Sequence, residues 1–380
     1  MSIESPIDEA FEKLKEHFSQ VPDPRVKRNL FHPLVNILVI AFAAVVCGAE
    51  GFTEIAQFGR HKRAFFERFL DLSEGIPSHD VFNDVFAAID TQHFAALFTA
   101  WVHACFDIPE GTTINIDGKT VRGSKSPGKG LKALHLVSAW ASEAGISFAQ
   151  RGVDSKENEL AAIPHLLDQV FLDKMVVTID AMGCQAPIAK MIVEGGGDYV
   201  LAVKQNQPAL HEEMQLLFEK KAPDDQHTTV EKDHGRIETR TVKVIRDLDW
   251  MDGPERERWT GLRAVVKVES IRQLRDKEQR EARFYITSLQ SPATEVGRRV
   301  RAHWGIESSL HWCLDIAFAE DASQVRDHNA AANLAILNKM ALNILKTDTT
   351  EKVGIKAKRK TAGWNDAYLA RLLISILCKD

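Results

Sequence analysis

The chain has 380 residues, 44% of them hydrophobic and 27% charged, with a formal net charge of −5. These values exclude a largely disordered chain and predict two or three compact units, and the mild acidity means that a polyanionic partner would have to meet a local basic surface. Five cysteines lie far apart with no C-x-x-C pair, so neither a zinc cluster nor a disulfide framework is indicated and a reducing compartment is expected.

Residues 1–15 carry many acids and no continuous apolar core, so no signal peptide is expected. Ile7, Phe11, Leu14 and Phe18 recur at helical spacing, and Pro22 and Pro24 end that helix. Leu34 to Ala49 is apolar but shorter than the ~18–20 residues that span a bilayer, and it reads as a buried core helix. A helix capped near Thr53, another starting at Pro77-Ser78-His79-Asp80, and one from Phe94 to Phe106 complete an all-helical unit over residues 1–108.

From Thr112 the period changes to that of strands. Ile114 and Ile116 alternate with polar residues in TTINIDGKTVRGS, and the strand is expected to stop at Gly118, which leaves Asp117 at its end. The following stretch is basic and glycine-spaced: Lys119, Arg122, Lys125, Lys129 and Lys132. An acid beside such a loop suits a divalent cation and a phosphodiester backbone, whereas a lone Asp also serves simply to open a turn.

Lys132–Trp140 and Gly145–Val153 extend this into a three-stranded meander, followed by an amphipathic helix from Asn158 to Phe171. Met175 to Asp180 is an apolar strand that also ends in an aspartate, and after a helix to Val193 a fifth strand runs from Asp198 to Lys204. The order β-β-β-α-β-α-β describes an α/β sheet. Residues 205–290 read as a mainly β insertion, with Trp250 and Trp259 plugging it. A long helix from Glu295 carries Glu307, and a further helix runs from Asn329 to Leu345. Thr347–Gly363 reads as a basic linker before a last helix from Trp364.

Asp117 and Asp180 are 63 residues apart (180 − 117) yet are expected at the ends of neighbouring strands. Glu307, with His303 and His311 four residues to either side on one helix face, supplies a third carboxylate. Three carboxylates commonly hold two Mg²⁺ ions about 4 Å apart for in-line displacement at phosphorus. The histidines, when protonated, are candidates for phosphate contact. Asp315, Glu320 and Asp321 are rival third acids, and Trp304 and Trp312 are expected half-buried against the sheet.

The stretches INIDGKTVRGS, KENELAAIPHLLDQV, VVTIDAMGCQAPIA, GGDYVLAVKQNQP, HGRIETR and HWGIESSLHWCLDIAFAED resemble those of H-repeat-associated insertion-sequence transposases of the DDE superfamily. The resemblance covers nearly the whole chain. It implies a ribonuclease H-like catalytic core with a mainly β insertion, preceded by the helical domain, and Asp117, Asp180 and Glu307 as the acidic triad holding two Mg²⁺, with Mn²⁺ as substitute. The expected units are 1–108, 109–204, 205–290 (insertion), 291–346 (catalytic helix) and 347–380 (linker and last helix). Where the wider superfamily carries Tyr, Arg, Glu and Lys around the third acid, this chain has Val300, His303, Glu307 and Leu314. The phosphate contacts of the missing Arg and Lys therefore do not transfer, and His303 or His311 are the candidates to replace them.

The implied activity is cleavage at element ends and strand transfer into target DNA. Lys119, Arg122, Lys125, Lys129, Lys132, Lys204, His303 and His311 are the expected DNA contacts. A homodimer on DNA, a cytoplasmic, nucleoid-associated location and no membrane partner complete the expectation. The alternatives are a catalytically silent relic that binds ends as a repressor, and a structure-selective nuclease on the same fold.

Overall fold

Strand alternation from Thr113 onward produces, among the described residues, a mixed sheet of nine strands in the order β3-β2-β1-β4-β5-β9-β8-β7-β6. The computed structural model describes residues 6–377 apart from 27–29, 126, 127, 129, 131, 154–158, 234, 235, 252, 275 and 276. β1 (Thr113–Val121), β2 (Leu134–Ala141) and β3 (Ile146–Val153) form an antiparallel meander, and β4 (Val176–Ile179) and β5 (Asp198–Val203) join parallel to β1. All four residues of β4 are buried, as an apolar run flanked by parallel neighbours requires. The crossovers around β4 are α7 (Glu159–Gln169) and α8 (Ala186–Glu194).

The expected β insertion continues this sheet. β6 (Asp225–Asp233), β7 (Arg236–Ile245), β8 (Ala264–Leu274) and β9 (Lys277–Thr287) form a second meander, and β9 pairs antiparallel with β5. Two helices, α9 (Pro208–Lys220) and the short α10 (Gly253–Arg258), accompany it. Trp259 is buried there.

The N-terminal helices are α1 (Pro6–Ser19), α2 (Leu34–Val46), α3 (Phe52–His61), α4 (Arg63–Phe66), α5 (His79–Ala88) and α6 (Thr91–Cys105). Ser78 and Asp90 cap α5 and α6 by accepting from the backbone N–H groups of Val81 and His93. α2 is buried along nearly its whole length, which accounts for its apolarity without a bilayer. Among the described residues no single helix is long and apolar enough to cross a membrane.

α11 (Ala293–Gly305), a π-helical turn (Ile306–His311) and α12 (Trp312–Ala317) form the long helical run expected from Glu295. α13 (His328–Thr347) is buried from Ala330 to Leu345 and packs against α2, α5, α6 and β3. Its buried amides find backbone partners on both sides: Asn333 donates to the carbonyls of Phe86 and Ile89, and Asn343 pairs with both the N–H and C=O of Ser147. The helical unit and the sheet thus share one apolar core.

The stretch expected to be a basic linker contains α14 (Ile355–Trp364), followed by α15 (Asp366–Leu377), which packs on α1. The charges turn inward because they have acceptors: Lys358 donates to Leu345 O (2.9 Å), and Arg359 donates to Val45 O (2.7 Å) and Ala49 O (2.8 Å) at the C-terminal end of α2. A guanidinium on the exposed carbonyls of a helix end is favourable electrostatics, and it pins α14 in place.

Candidate active site

Asp117 and Asp180 are brought together by register. The parallel ladder between β1 and β4 pairs Thr113 with Val176 and finishes on Ile116 with Ile179, so each aspartate is the next residue on its own strand. β1 does not stop at Gly118 as expected; it runs on to Val121, paired only with β2 on that stretch. Asp117 therefore lies beside the notch left where β4 ends. Asp180 leaves β4 and accepts from the N–H groups of Met182 (3.0 Å) and Gly183 (3.4 Å), which fixes its carboxylate in a short 3₁₀ turn.

The residues two before each aspartate share its face of the sheet and hold the helix that carries the third acid. Asn115 donates to Ala302 O (2.5 Å), and Thr178 Oγ1 bonds His303 Nδ1 (3.0 Å). Arg299, 7% exposed, clamps the same helix to the start of β1 through Thr113 Oγ1 (2.8 Å) while paired with Glu295 and Glu143. Immediately after this anchorage α11 passes into the π turn, and Glu307 is the second residue of that turn. A π turn inserts extra backbone into a helix and changes the direction in which its side chains project. Glu307 is exposed, while His311 at the far end of the turn reaches Asp117 (Nδ1 to Oδ2 3.7 Å).

A fourth acid, not singled out in the sequence, lies beside Asp117. Glu159, in the first turn of α7 and 5% exposed, pairs with His135 Nε2 (3.1 Å), and His135 Nδ1 bonds Thr120 Oγ1 (3.0 Å). A Cβ on Gly118 would overlap both the His135 ring and the Glu159 carboxylate. Gly118 is required here for space, since its φ lies outside the left-handed region.

Burial pushes the Asp117 carboxyl up to about 7, and the charges of Glu159, Asp180 and Glu307 add to this, with only the Gly118 N–H opposing. Three acids in electrostatic reach of the half-buried Asp117 carboxylate form with it a site short of positive charge, with hard oxygen donors of the kind Mg²⁺ accepts. Among the described residues no three acid, imidazole or thiolate side chains already converge as a finished metal cage.

Behind these acids lies an ion-pair network. Lys119, its side chain 10% exposed, pairs with Asp315 and with Glu320 (2.7 Å), and Asp321 stands 3.9 Å away. Burial acts against the charge on Glu320, but Lys119 and Lys339 hold its carboxyl below the usual range. Burial lowers the Lys339 ammonium to about 8, although Glu320 partly offsets this.

A family model for the transposase DDE domain matches residues 109–344, and one described as DDE_Tnp_1-associated matches residues 15–102. The chain belongs to the DDE transposase family. It is 39% identical over 377 residues to "Putative transposase YncI" of Escherichia coli O157:H7, covering 96% of this chain and 95% of that protein. It is 35% identical to "H repeat-associated putative transposase YhhI" of Escherichia coli (strain K12), over 95% of this chain and 97% of the relative. A protein of Xanthobacter autotrophicus, "Uncharacterized protein in dhlA 3'region", is 44% identical over 72% of this chain and 94% of its own length.

Several of the transposase's expected DNA contacts occupy other roles. Lys119 is consumed by the buried ion pairs, so it is not a free cation on a mobile loop. Burial lowers His303 to about 4 and His311 to about 3, so both are neutral at pH 7 and lack the charge expected for phosphate contact. Arg122 is 82% exposed, with a 3.5 Å approach to Asp321, and Lys125, Lys132 and Lys204 are exposed. Lys129 lies outside the described residues. Trp304 and Trp312, expected half-buried against the sheet, are 43% and 59% exposed. The Arg283 guanidinium lies 4.3 Å from the centre of the Trp304 ring.

Proposed function

We propose that this chain is a metal-dependent DNA transposase that cleaves at the ends of its element and transfers the freed strand to target DNA. The observation that carries the reading is the shared register of Asp117 and Asp180 at the last rung of the β1–β4 ladder, with the charge of Glu307 felt at Asp117. The strand order β3-β2-β1-β4-β5, antiparallel then parallel, supports a ribonuclease H-like core for residues 113–203. Asp117, Asp180 and Glu307 would hold Mg²⁺, two ions per site with Mn²⁺ as substitute. When bound, such ions activate the attacking oxygen and stabilise the leaving oxygen of a phosphodiester.

The chain's own residues account for the rest. Asn115, Thr178 with His303, and Arg299 hold the Glu307 helix across β1 and β4, a rigid mounting of the kind that close positioning of reacting groups needs. Asp315, Glu320 and Asp321 are the rivals to Glu307, and their contacts with Lys119 favour a supporting role for them. Arg122, Lys125, Lys132 and Lys204, all exposed, would meet DNA backbone rather than bases. The protein would act as a homodimer on DNA, in the cytoplasm and associated with the nucleoid.

Asp117→Asn and Asp180→Asn should abolish Mg²⁺-dependent cleavage of DNA carrying the element ends while leaving end binding in place. Wild-type cleavage rates in either variant would refute the assignment. End binding with no cleavage by the wild-type protein would instead indicate a silent relic, and cleavage without strand transfer of pre-cut ends a structure-selective nuclease.

A further inference from the structure

The chain carries a second cationic surface, away from the loop after β1. In α14 the buried pair Lys358 and Arg359 faces the core, and Lys356 and Lys360 are exposed one turn apart. Trp364, one further turn along the same face, is 79% exposed. Four residues of helix rise about 6 Å, so the three side chains form a ridge inclined to the helix axis. The helix has no acid in its ten residues, IKAKRKTAGW, and Lys352 just before it is also exposed. Of the acids that flank the helix in sequence, Asp348 pairs with Lys358 and Tyr368 and Asp366 with Lys62, while the half-buried Glu351 stands just before Lys352.

The placement of this row matters. α14 packs against α12, the helix directly after the π turn that carries Glu307. The Arg359 guanidinium sits 4.0 Å from the Phe318 ring and also bonds Ala317 O, which fixes α14 to the end of α12. On α12 itself Trp312 and Ile316, one turn apart, are 59% and 50% exposed. From Glu307 to Ala317, where Arg359 anchors α14, the helical run rises on the order of 10–15 Å, which corresponds to about three or four base steps at 3.4 Å per phosphate along a strand.

We propose that the outer face of α14 is a DNA-docking surface, in which Lys356 and Lys360 neutralise backbone phosphates a few base pairs from the reacting bond and Trp364 packs on the duplex beside them. Charge selects this occupant: a second copy of this chain, net −5, could also cover Trp364, but lysines that pair with no acid among the described residues, with no acid between them in the helix, fit a polyanion. The inference rests on the DNA-binding reading above and adds a surface to it. The buried contacts of Lys358 and Arg359 fix the helix backbone, so only the side chains of the row lose freedom when DNA binds.

The test uses the full chain and a fluorescein-labelled random-sequence duplex, followed by anisotropy at several salt concentrations without divalent metal. Lys356→Ala/Lys360→Ala should weaken binding severalfold and reduce the slope of log K against log salt by nearly two, at about 0.9 per phosphate contact. Trp364→Ala should weaken binding with the slope unchanged. All three positions are exposed, so unchanged thermal melting should show that the fold is intact. An unaltered slope in the double variant, alongside salt-dependent wild-type binding, would overturn this surface and leave the DNA reading standing. Absence of any wild-type binding would overturn both. A change from dimer to monomer in Trp364→Ala during sedimentation, with DNA binding unaltered, would assign the face to a subunit contact and overturn the proposal.

Discussion

Ile116 and Ile179 are the last paired residues of the parallel β1–β4 ladder, and an aspartate follows each of them. Beyond this rung β4 turns away while β1 continues, so two carboxylates face a gap in the sheet with Glu159 and Glu307 close enough for their charges to act on Asp117.

The first prediction concerns pH. With its carboxyl raised from the ordinary 3.8 to about 7, Asp117 binds a proton more tightly in the folded chain than in the unfolded one. Its stabilising effect is therefore complete below about pH 4 and is lost as pH rises through 7. Asp117→Asn should be more stable than wild type at pH 8 without metal, by up to about 4 kcal/mol for a rise of about three pKa units at roughly 1.4 kcal/mol each. The two should converge near pH 4. Added Mg²⁺ should raise the melting temperature of the wild type and not of the variant. Parallel melting curves across this range would contradict the charge crowding at Asp117.

The second concerns the space beside Asp117. Gly118→Ala inserts a methyl where the His135 ring and Glu159 carboxylate already sit, and should destabilise by about 1–3 kcal/mol, as overpacking does. Glu159→Gln keeps an acceptor for His135 and should fold normally, but it removes one negative charge near Asp117. Mn²⁺ affinity measured by calorimetry should fall about tenfold in Glu159→Gln, as for other changes just outside a metal's ligands. Equal affinity would make the His135–Glu159 pair purely structural.

The third separates Lys119 from the exposed cations. Lys119→Met leaves Glu320, 3% exposed, without its 2.7 Å partner, and removing one member of a buried pair costs about 3–5 kcal/mol. Urea unfolding should show this loss. Lys125→Ala/Lys132→Ala should leave stability within about 0.5 kcal/mol and reduce the salt dependence of DNA binding. The reverse pattern would return Lys119 to the DNA contacts.

That Asp117 and Asp180 follow neighbouring rungs could be read from the sequence because strand period and an acid after an apolar run are local signals, although β1 runs on past Gly118. Glu159 could not: its significance depends on His135, 24 residues earlier, and on the lack of a side chain at Gly118. Lys119 was misleading for the same reason, since its partners lie 196 and 201 residues away. The run from Lys356 to Lys360 reads as a solvated linker by composition, and only the carbonyls at the end of α2 explain why Lys358 and Arg359 turn inward. Helical spacing placed Glu307 among three side chains on one face. The π turn changes that arrangement, leaving Glu307 exposed and His311 inward, and no residue type in IESSLH announces it.

The last prediction decides the third acid. Glu307 is exposed on the π turn, and its charge raises Asp117, whereas Asp315 and Glu320 are bound to Lys119 and Asp321 lies between Lys119 and Arg122. Glu307→Gln should therefore leave stability within about 0.5 kcal/mol and lower Mg²⁺-dependent cleavage by more than about a hundredfold at saturating metal. Asp315→Asn should do the opposite, losing part of its Lys119 ion pair and some stability while keeping cleavage within a few-fold. Glu320→Gln shares that expectation with a larger loss of stability, because its carboxylate is buried between Lys119 and Lys339. Measuring melting temperature and single-turnover cleavage on all three variants separates chemistry from folding. If Asp315→Asn cleaved no DNA at wild-type stability while Glu307→Gln remained active, the third ligand would move onto α12, and the π turn would serve only to bring His311 to Asp117.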